Sequence, residues 1–158
     1  MTSRPTAIVV GAGIVGAACA AALGRDGFVV TVIDDGIPAG GTTAAGMGHL
    51  VAMDDSPAQL ALTAYSLRLW RDLAPDLPDD VELERTGTLW IAEDETQRTA
   101  LEEKRRVYLA AGITCELLDA QALREAEPNL RPDLAGALRV EGDSVVYPPT
   151  AALAHRRR

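Results

Sequence analysis

Three glycines near the amino terminus have the spacing that a phosphate-binding turn requires. Gly11, Gly13 and Gly16 form the pattern Gly-x-Gly-x-x-Gly, directly after the apolar run at residues 7–10. The first glycine permits a tight turn, the second lets the backbone approach a diphosphate, and the third lets a helix pack closely against a strand. The N–H groups at the beginning of that helix attract anions. The spacing therefore predicts that a dinucleotide binds at this turn.

An acidic residue completes the predicted nucleotide site. Asp34 follows a second β-branched run at residues 29–33, about 20 residues beyond the first glycine, where a carboxylate accepts hydrogen bonds from the adenosine ribose. A negative charge there disfavours a 2′-phosphate, and the adjacent Asp35 is included in the predicted site. A glycine-rich turn that binds nothing is the alternative. It is disfavoured because turn, strand, helix and acid all fall in their expected places.

A second loop of small residues helps to distinguish FAD from NAD, the two dinucleotides whose binding domains share this glycine pattern. Residues 40–48 read Gly-Gly-Thr-Thr-Ala-Ala-Gly-Met-Gly, and such side chains suit a segment that lies against a flat ring system and a diphosphate. An NAD domain is expected to continue into a helix here, so FAD is favoured, and an NAD-dependent dehydrogenase stays an alternative. The predicted cofactor-binding residues are Gly11, Ala12, Gly13, Ile14, Val15, Gly16, Asp34, Asp35, Thr42, Thr43, Gly46, Met47 and Gly48.

Around these residues the sequence predicts an α/β fold. Strand 7–10, helix 14–25 and strand 29–33 make a βαβ unit with a right-handed crossover, and residues 36–48 are predicted to be a loop because they contain five glycines. We expect a Rossmann-like FAD-binding βαβ unit plus the first part of an α+β substrate domain. The predicted FAD-binding domain is 1–80, with 148–158 returning to it, and the partial substrate-binding domain is 81–147. Further helices are predicted after Ser56, Asp94 and Asp119, and further strands at 88–91, 115–118, 135–140 and 145–147.

Composition excludes several other functions. The 158 residues carry a formal net charge of -8 and are 47% hydrophobic, which suits a globular protein and disfavours nucleic acid as a partner. No segment approaches the roughly 20 apolar residues of a membrane span, so the cytoplasm is the expected location. Cys19 and Cys115 lack metal-ligand spacing, and we expect both to be small buried apolar residues and no metal site.

On the glycine pattern, Asp34 and the loop at residues 42–50, the chain resembles the D-amino-acid oxidase/dehydrogenase family of flavoproteins, which includes glycine and sarcosine oxidases. The resemblance extends from residue 6 to about residue 150. Within the family, the stretch Thr-Thr-Ala-Ala-Gly-Met-Gly-His-Leu followed by Met53-Asp54-Asp55 looks most like D-hydroxyproline dehydrogenases. Many members have Asn-Ala-Gly where this chain has Gly46-Met47-Gly48, so side-chain contacts at that step differ.

The resemblance implies FAD as the cofactor and oxidation of the C–N bond of a small D-amino or imino acid by hydride transfer to the flavin. It also implies an amino or imino acid as the binding partner, an electron acceptor or partner subunit, and relatives considerably longer than this chain. The present stretch is therefore expected to be inactive alone, and a non-catalytic nucleotide-binding module is the second alternative. No catalytic residue is assigned. His49 follows the flavin loop, but a lone histidine is more often a packed or surface residue, and Tyr147 is expected in a strand core.

Overall fold

The computed structural model describes residues 3–155 and, within them, divides into two compact units. One unit contains the residues up to His49, Leu73–Glu84 and the residues from Val145 onward, and the other contains Leu50–Asp72 and Arg85–Ser144. The helices are α1 (Ile14–Arg25), α2 (Thr42–Ala45), α3 (Pro57–Leu73), α4 (Glu95–Ala110), α5 (Ala120–Ala126) and α6 (Pro148–Ala154). The strands are β1 (Thr6–Val10), β2 (Val29–Ile33), β3 (His49–Leu50), β4 (Thr88–Ala92), β5 (Glu116–Asp119), β6 (Gly136–Val140) and β7 (Ser144–Val145).

The first unit is built on the predicted βαβ motif. β1 and β2 pair in parallel, in a register that joins Thr6 to Val29 and Val10 to Ile33. Because parallel strands need a crossover, α1 connects them, and its alanines let it lie close to its neighbours. Ala17 is 2% exposed and packs with Ala39 and with Ala152 of α6. The α/β fold class and the Rossmann-like unit are therefore present as predicted.

The two parallel strands are covered on one face only. Their side chains alternate between half-buried and exposed positions, with Ile8 68% exposed and Val10 82% exposed. The sequence predicts strands buried throughout, because their apolar runs are continuous, and for this face that prediction is wrong. The helix α1 follows the strand and covers its other face, and in the described residues no second layer covers Ile8 and Val10.

The second unit is an antiparallel sheet with helices packed against it. Its strands lie in the order β4-β6-β5, and β6 supplies Leu138 and Val140 to the main core. Leu60 and Ala64 of α3 belong to that same core, so residues 50–72 group with this unit although the sequence-based division places them with the first domain. The assignment of the units to FAD binding and substrate binding stays a prediction.

Side-chain caps fix where the longer helices begin, as predicted. Asp94 accepts a hydrogen bond from the Gln97 N–H at 2.8 Å, and Asp119 accepts from the N–H groups of Gln121 and Ala122. The Ser56 hydroxyl oxygen accepts from the Gln59 N–H at 3.2 Å. Each of these bonds satisfies an N–H that has no acceptor inside its helix.

Three local predictions are corrected by the structure. Cys19 is exposed while Cys115 is buried, because Cys19 lies on the side of α1 away from Ala17. Residues 42–45, predicted as loop, form the short helix α2. The Pro- and Asp-rich stretch at residues 75–84, whose composition predicts a linker, overlaps two turns of 3₁₀ helix, Ala74–Asp76 and Asp79–Val81, and it buries Val81 completely.

Across residues 3–155, every helix is too short or too polar to cross a bilayer.

The second unit contains a buried polar cluster around the segment that follows β3. Asp143 is 0% exposed, and its Oδ1 accepts a hydrogen bond from the Ala52 N–H at 3.1 Å. The Tyr108 hydroxyl donates to the Ala52 carbonyl oxygen at 3.0 Å, and Lys104 forms an ion pair with Asp54. Burial, followed by the negative charge of Asp54, raises the pKa of Tyr108. Side chains thus anchor this segment from several directions.

Candidate dinucleotide site

The glycine turn has the backbone geometry that its sequence predicts. Gly11 has a φ of +103°, which an L side chain rarely adopts, and its N–H donates to the Ile33 carbonyl oxygen at 2.7 Å. A Cβ atom on Gly16 would lie 1.9 Å from the Gly11 carbonyl oxygen. The first turn of α1 therefore packs directly on the glycine turn, and only glycine fits at this contact.

Asp34 lies beside this turn, where a nucleotide-binding role requires it. Its Oδ2 accepts a hydrogen bond from the Ala12 N–H at 2.6 Å, and its Oδ1 accepts from the Gly36 N–H at 2.9 Å. These two bonds, the Ala12 bond foremost, lower the pKa of the Asp34 carboxyl. The side chain is exposed, so a negatively charged carboxylate faces solvent at the edge of the turn.

The threonine-rich loop reaches the beginning of α1. Thr43 Oγ1 accepts a hydrogen bond from the Ile14 N–H at 3.0 Å, and a Cβ on Gly13 would come within 3.0 Å of the same oxygen. The N–H groups of Val15 and Gly16 also belong to the first helical turn, where the helix itself provides no acceptor. This end of α1 thus presents backbone donors beside a threonine hydroxyl.

A cavity of about 500 Å³ lies beside these groups, a volume typical of small-molecule sites. Five of the predicted site residues line it, and five further residues that the sequence-based prediction omitted line it as well. The ten are Gly13, Asp34, Asp35, Thr42, Thr43, Gly36, Ile37, Ala39, Gly40 and Gly41. Residues 40 and 41 belong to the glycine-rich loop that was predicted from the sequence, but the residue types of Ile37 and Ala39 give no sign that these residues line the cavity.

Ala39 shows why residue types alone miss part of this cavity. It has a φ of +63°, which is uncommon for a residue with a side chain, and it is 3% exposed. Its N–H donates to the Ala12 carbonyl oxygen at 3.1 Å. A tertiary contact with the glycine turn therefore holds this conformation, and a sequence pattern does not reveal such a contact.

The remaining predicted residues lie outside the cavity lining. Gly11, Ala12, Ile14, Val15 and Gly16 form the turn and the beginning of α1 behind it.

The predicted step Gly46-Met47-Gly48 lies elsewhere on the unit. Met47 is 79% exposed. Gly48 has a φ of +72°, and a Cβ there would lie 1.9 Å from the Val146 carbonyl oxygen. Contact of these residues with a cofactor stays a prediction.

The two side chains considered for chemistry are both exposed at the surface. His49 is exposed. Tyr147 is 50% exposed and precedes α6, so the expectation of a strand-core tyrosine is wrong, because β7 ends at Val145. Among the described residues, no three His, Cys, Asp or Glu side chains come together in a way that could hold a metal ion.

With this geometry established, comparison with known proteins identifies the family. Residues 6–158 match the family described as FAD dependent oxidoreductase, abbreviated DAO. The chain belongs to this family. FAD is therefore the cofactor that proteins of this family use. The glycine turn, the acid at the end of β2 and the cavity of the structure fit the adenosine diphosphate part of that cofactor.

Individual relatives include amine-oxidising enzymes. Glycine oxidase of Geobacillus kaustophilus is 28% identical over 98% of this chain and 43% of its own length. Its crystal structure superposes with a TM-score of 0.80. The crystal structure of iminodiacetate oxidase from Chelativorans sp. BNC1 is 31% identical, with a TM-score of 0.76, over 95% of this chain and 43% of its own.

A third relative is named for a different substrate. The anaerobic glycerol-3-phosphate dehydrogenase subunit A1 of Haloferax volcanii is 29% identical over 92% of this chain and 25% of its own length. This chain therefore spans less than half the length of each of these relatives.

The Thr43 hydroxyl is expected to stabilise the site as well as line it. Thr43→Val keeps the shape of the side chain but removes the acceptor of the Ile14 N–H, and losing such a helix-capping bond costs about 1 kcal/mol. Urea unfolding followed by circular dichroism measures this loss. Thr42→Val is the matched control, because no side-chain hydrogen bond of Thr42 caps α1. Equal stability of the two variants would contradict the capping role.

Proposed function

We propose that this chain is the FAD-binding part of an oxidoreductase that oxidises the C–N bond of a small amino or imino acid. The observation that supports the cofactor part is the arrangement of the glycine turn, Asp34 and Thr43 around one cavity. In this proposal the N–H groups of Gly13, Val15 and Gly16 receive the diphosphate, and Asp34 receives the adenosine ribose.

The protein's own contribution is binding and orientation. FAD, when bound, supplies the acceptor for the electrons of the substrate, and the chain positions it. The Thr43 hydroxyl accepts from the first N–H of α1 and so ties the threonine loop to the beginning of that helix, while the negative charge of Asp34 and Asp35 disfavours nucleotides that carry a 2′-phosphate. We assign no catalytic acid or base in the described residues.

The amine substrate is supported by two of the relatives, glycine oxidase and iminodiacetate oxidase. The likeness of residues 42–55 to D-hydroxyproline dehydrogenases favours D-hydroxyproline within that class. The relative named for glycerol 3-phosphate supports oxidation of an alcohol as the competing proposal.

Cofactor choice is tested by titrating the purified chain with FAD and with NAD. We expect the fluorescence of FAD to change saturably, ADP to compete with it, and NAD to compete weakly. Saturable binding of NAD in preference to FAD would contradict the proposal and support a nicotinamide-dependent dehydrogenase.

The substrate class is tested by anaerobic absorbance of the FAD-loaded protein, using this chain and any longer reading frame that contains it. D-hydroxyproline or glycine is expected to bleach the flavin in the longer protein, whereas the 158-residue chain stays unreduced. Bleaching by glycerol 3-phosphate alone would replace the amine by an alcohol. A bound flavin that no substrate reduces in either protein would favour a non-catalytic nucleotide-binding module.

A further inference from the structure

Both carboxylate oxygens of Asp34 accept hydrogen bonds from backbone N–H groups, and these two groups belong to separate segments. Oδ1 accepts from the Gly36 N–H just beyond β2, and Oδ2 accepts from the Ala12 N–H inside the glycine turn at 2.6 Å. Hydrogen bonds to an ionised acceptor are about twice as strong as neutral ones. The acid thus contacts the phosphate-binding turn directly, in addition to facing the cavity.

The bond to Ala12 orients one particular peptide plane. The Ala12 N–H and the Gly11 carbonyl oxygen belong to the same planar peptide unit. That carbonyl oxygen is the atom closest to Gly16, at a place where a Cβ would come within 1.9 Å. The direction in which Asp34 pulls the N–H therefore also determines how the first turn of α1 packs.

Ala12 is held from its carbonyl side as well. Its carbonyl oxygen accepts from the Ala39 N–H at 3.1 Å, and the residue is 3% exposed. Without Asp34, the part-buried Ala12 N–H would lose the acceptor that sets its direction, and Ala12 would keep only the bond from the Ala39 N–H to its carbonyl oxygen.

We propose that Asp34 is a positioning residue for the diphosphate site, because it fixes the Gly11–Ala12 peptide against the beginning of α1. This inference rests on the proposed function and adds to the expected ribose contact. Recognition of the sugar and recognition of the diphosphate then both depend on the Asp34 carboxylate. The affinity for a ligand that contains no sugar should therefore still fall when Asp34 is removed.

The change in charge alone predicts the opposite effect on anion affinity, so an experiment can distinguish it from the positioning role. Asp34 and Asp35 both line the cavity, so removing either negative charge should strengthen the binding of an anion. If Asp34 positions the turn, its removal should weaken that binding in spite of the gain in charge. Asp35 shares no side-chain hydrogen bond with the glycine turn and provides the matched control.

The experiment compares the binding of inorganic pyrophosphate by the wild type, Asp34→Ala and Asp35→Ala, measured by calorimetry. We expect Asp34→Ala to lower the affinity about fivefold or more, the size expected when one hydrogen bond to a charged acceptor is lost. Asp35→Ala removes a negative charge from the same cavity and should bind pyrophosphate more tightly than the wild type. Unchanged or tighter binding by Asp34→Ala would overturn the positioning role. Wild-type protein that binds neither ADP nor pyrophosphate would instead overturn the proposed function.

Nuclear magnetic resonance gives a second readout that does not need the alanine variant to fold. The Ala12 amide proton, donated to a carboxylate, is expected to resonate downfield, and Asp34→Asn should move it upfield because the acceptor loses its charge. Asp35→Asn should leave it in place. An Ala12 resonance that is identical in the wild type and Asp34→Asn would also overturn the proposal.

Discussion

Gly16→Ala is expected to destabilise the first unit by about 3 kcal/mol, the upper range for overpacking a tight contact. The added Cβ would lie 1.9 Å from the Gly11 carbonyl oxygen and 3.0 Å from the Gly11 carbonyl carbon. Both contacts are with backbone, so no side-chain rotation relieves them. Either the glycine turn or the first turn of α1 has to move, and both form the predicted diphosphate site.

The same change is expected to lower FAD affinity more than tenfold, since the turn and the helix must keep their relative position to bind a diphosphate. Urea unfolding and FAD titration measure the two effects on one protein sample. Gly24→Ala is the matched control, because it lies in the same helix with no atom within 4 Å of its added Cβ. That variant should be more stable by about 0.5–1 kcal/mol. Similar behaviour of the two variants would show that the contact at Gly16 is not tight in solution.

The part of the site that the sequence predicts is the part that local backbone constraints determine. A glycine at positive φ, a strand before it and a helix after it leave a recognisable order of residue types, as Gly11 and Gly16 show. An acid at the end of the second strand is recognisable for the same reason. These features depend on a few neighbouring residues, so the βαβ unit and the position of Asp34 follow from the sequence.

Features that depend on distant contacts do not follow from the sequence in this way. Ala39 has a positive φ and donates a hydrogen bond to Ala12 in the glycine turn, and an alanine gives no sign of this contact. Cys19 looks apolar and internal, yet it is exposed. The short helix at residues 42–45 is too brief to show helical periodicity, and it places Thr43 against α1.

The same limit applies to Asp143, whose neighbours in the sequence give no sign of burial. It follows Gly142 between two strands, where aspartate is a common turn residue. The structure buries it completely, with one carboxylate oxygen accepting a hydrogen bond from the Ala52 N–H. Burial therefore opposes the charged form, and the pKa of Asp143 lies above its ordinary value of 3.8.

This raised pKa makes a signed prediction about stability and pH. The folded protein keeps the Asp143 proton to a higher pH than the unfolded chain does, so folding takes up a proton between the two pKa values. The contribution of this group to stability is fully present below pH 3.8. It is lost as the pH rises to the folded pKa, with a slope of at most about 1.4 kcal/mol per pH unit.

Asp143→Asn is expected to remove this dependence while keeping an oxygen that accepts from the Ala52 N–H. Urea unfolding of both proteins across a pH series gives the difference in unfolding free energy, which cancels the other titrating groups that the two proteins share. The difference should shift in favour of the variant as the pH rises above 3.8 and should level off once Asp143 is ionised in the folded wild type. A constant difference for Asp143→Asn across the pH series would mean that this carboxylate is solvated in the folded protein, in conflict with its burial beside Ala52.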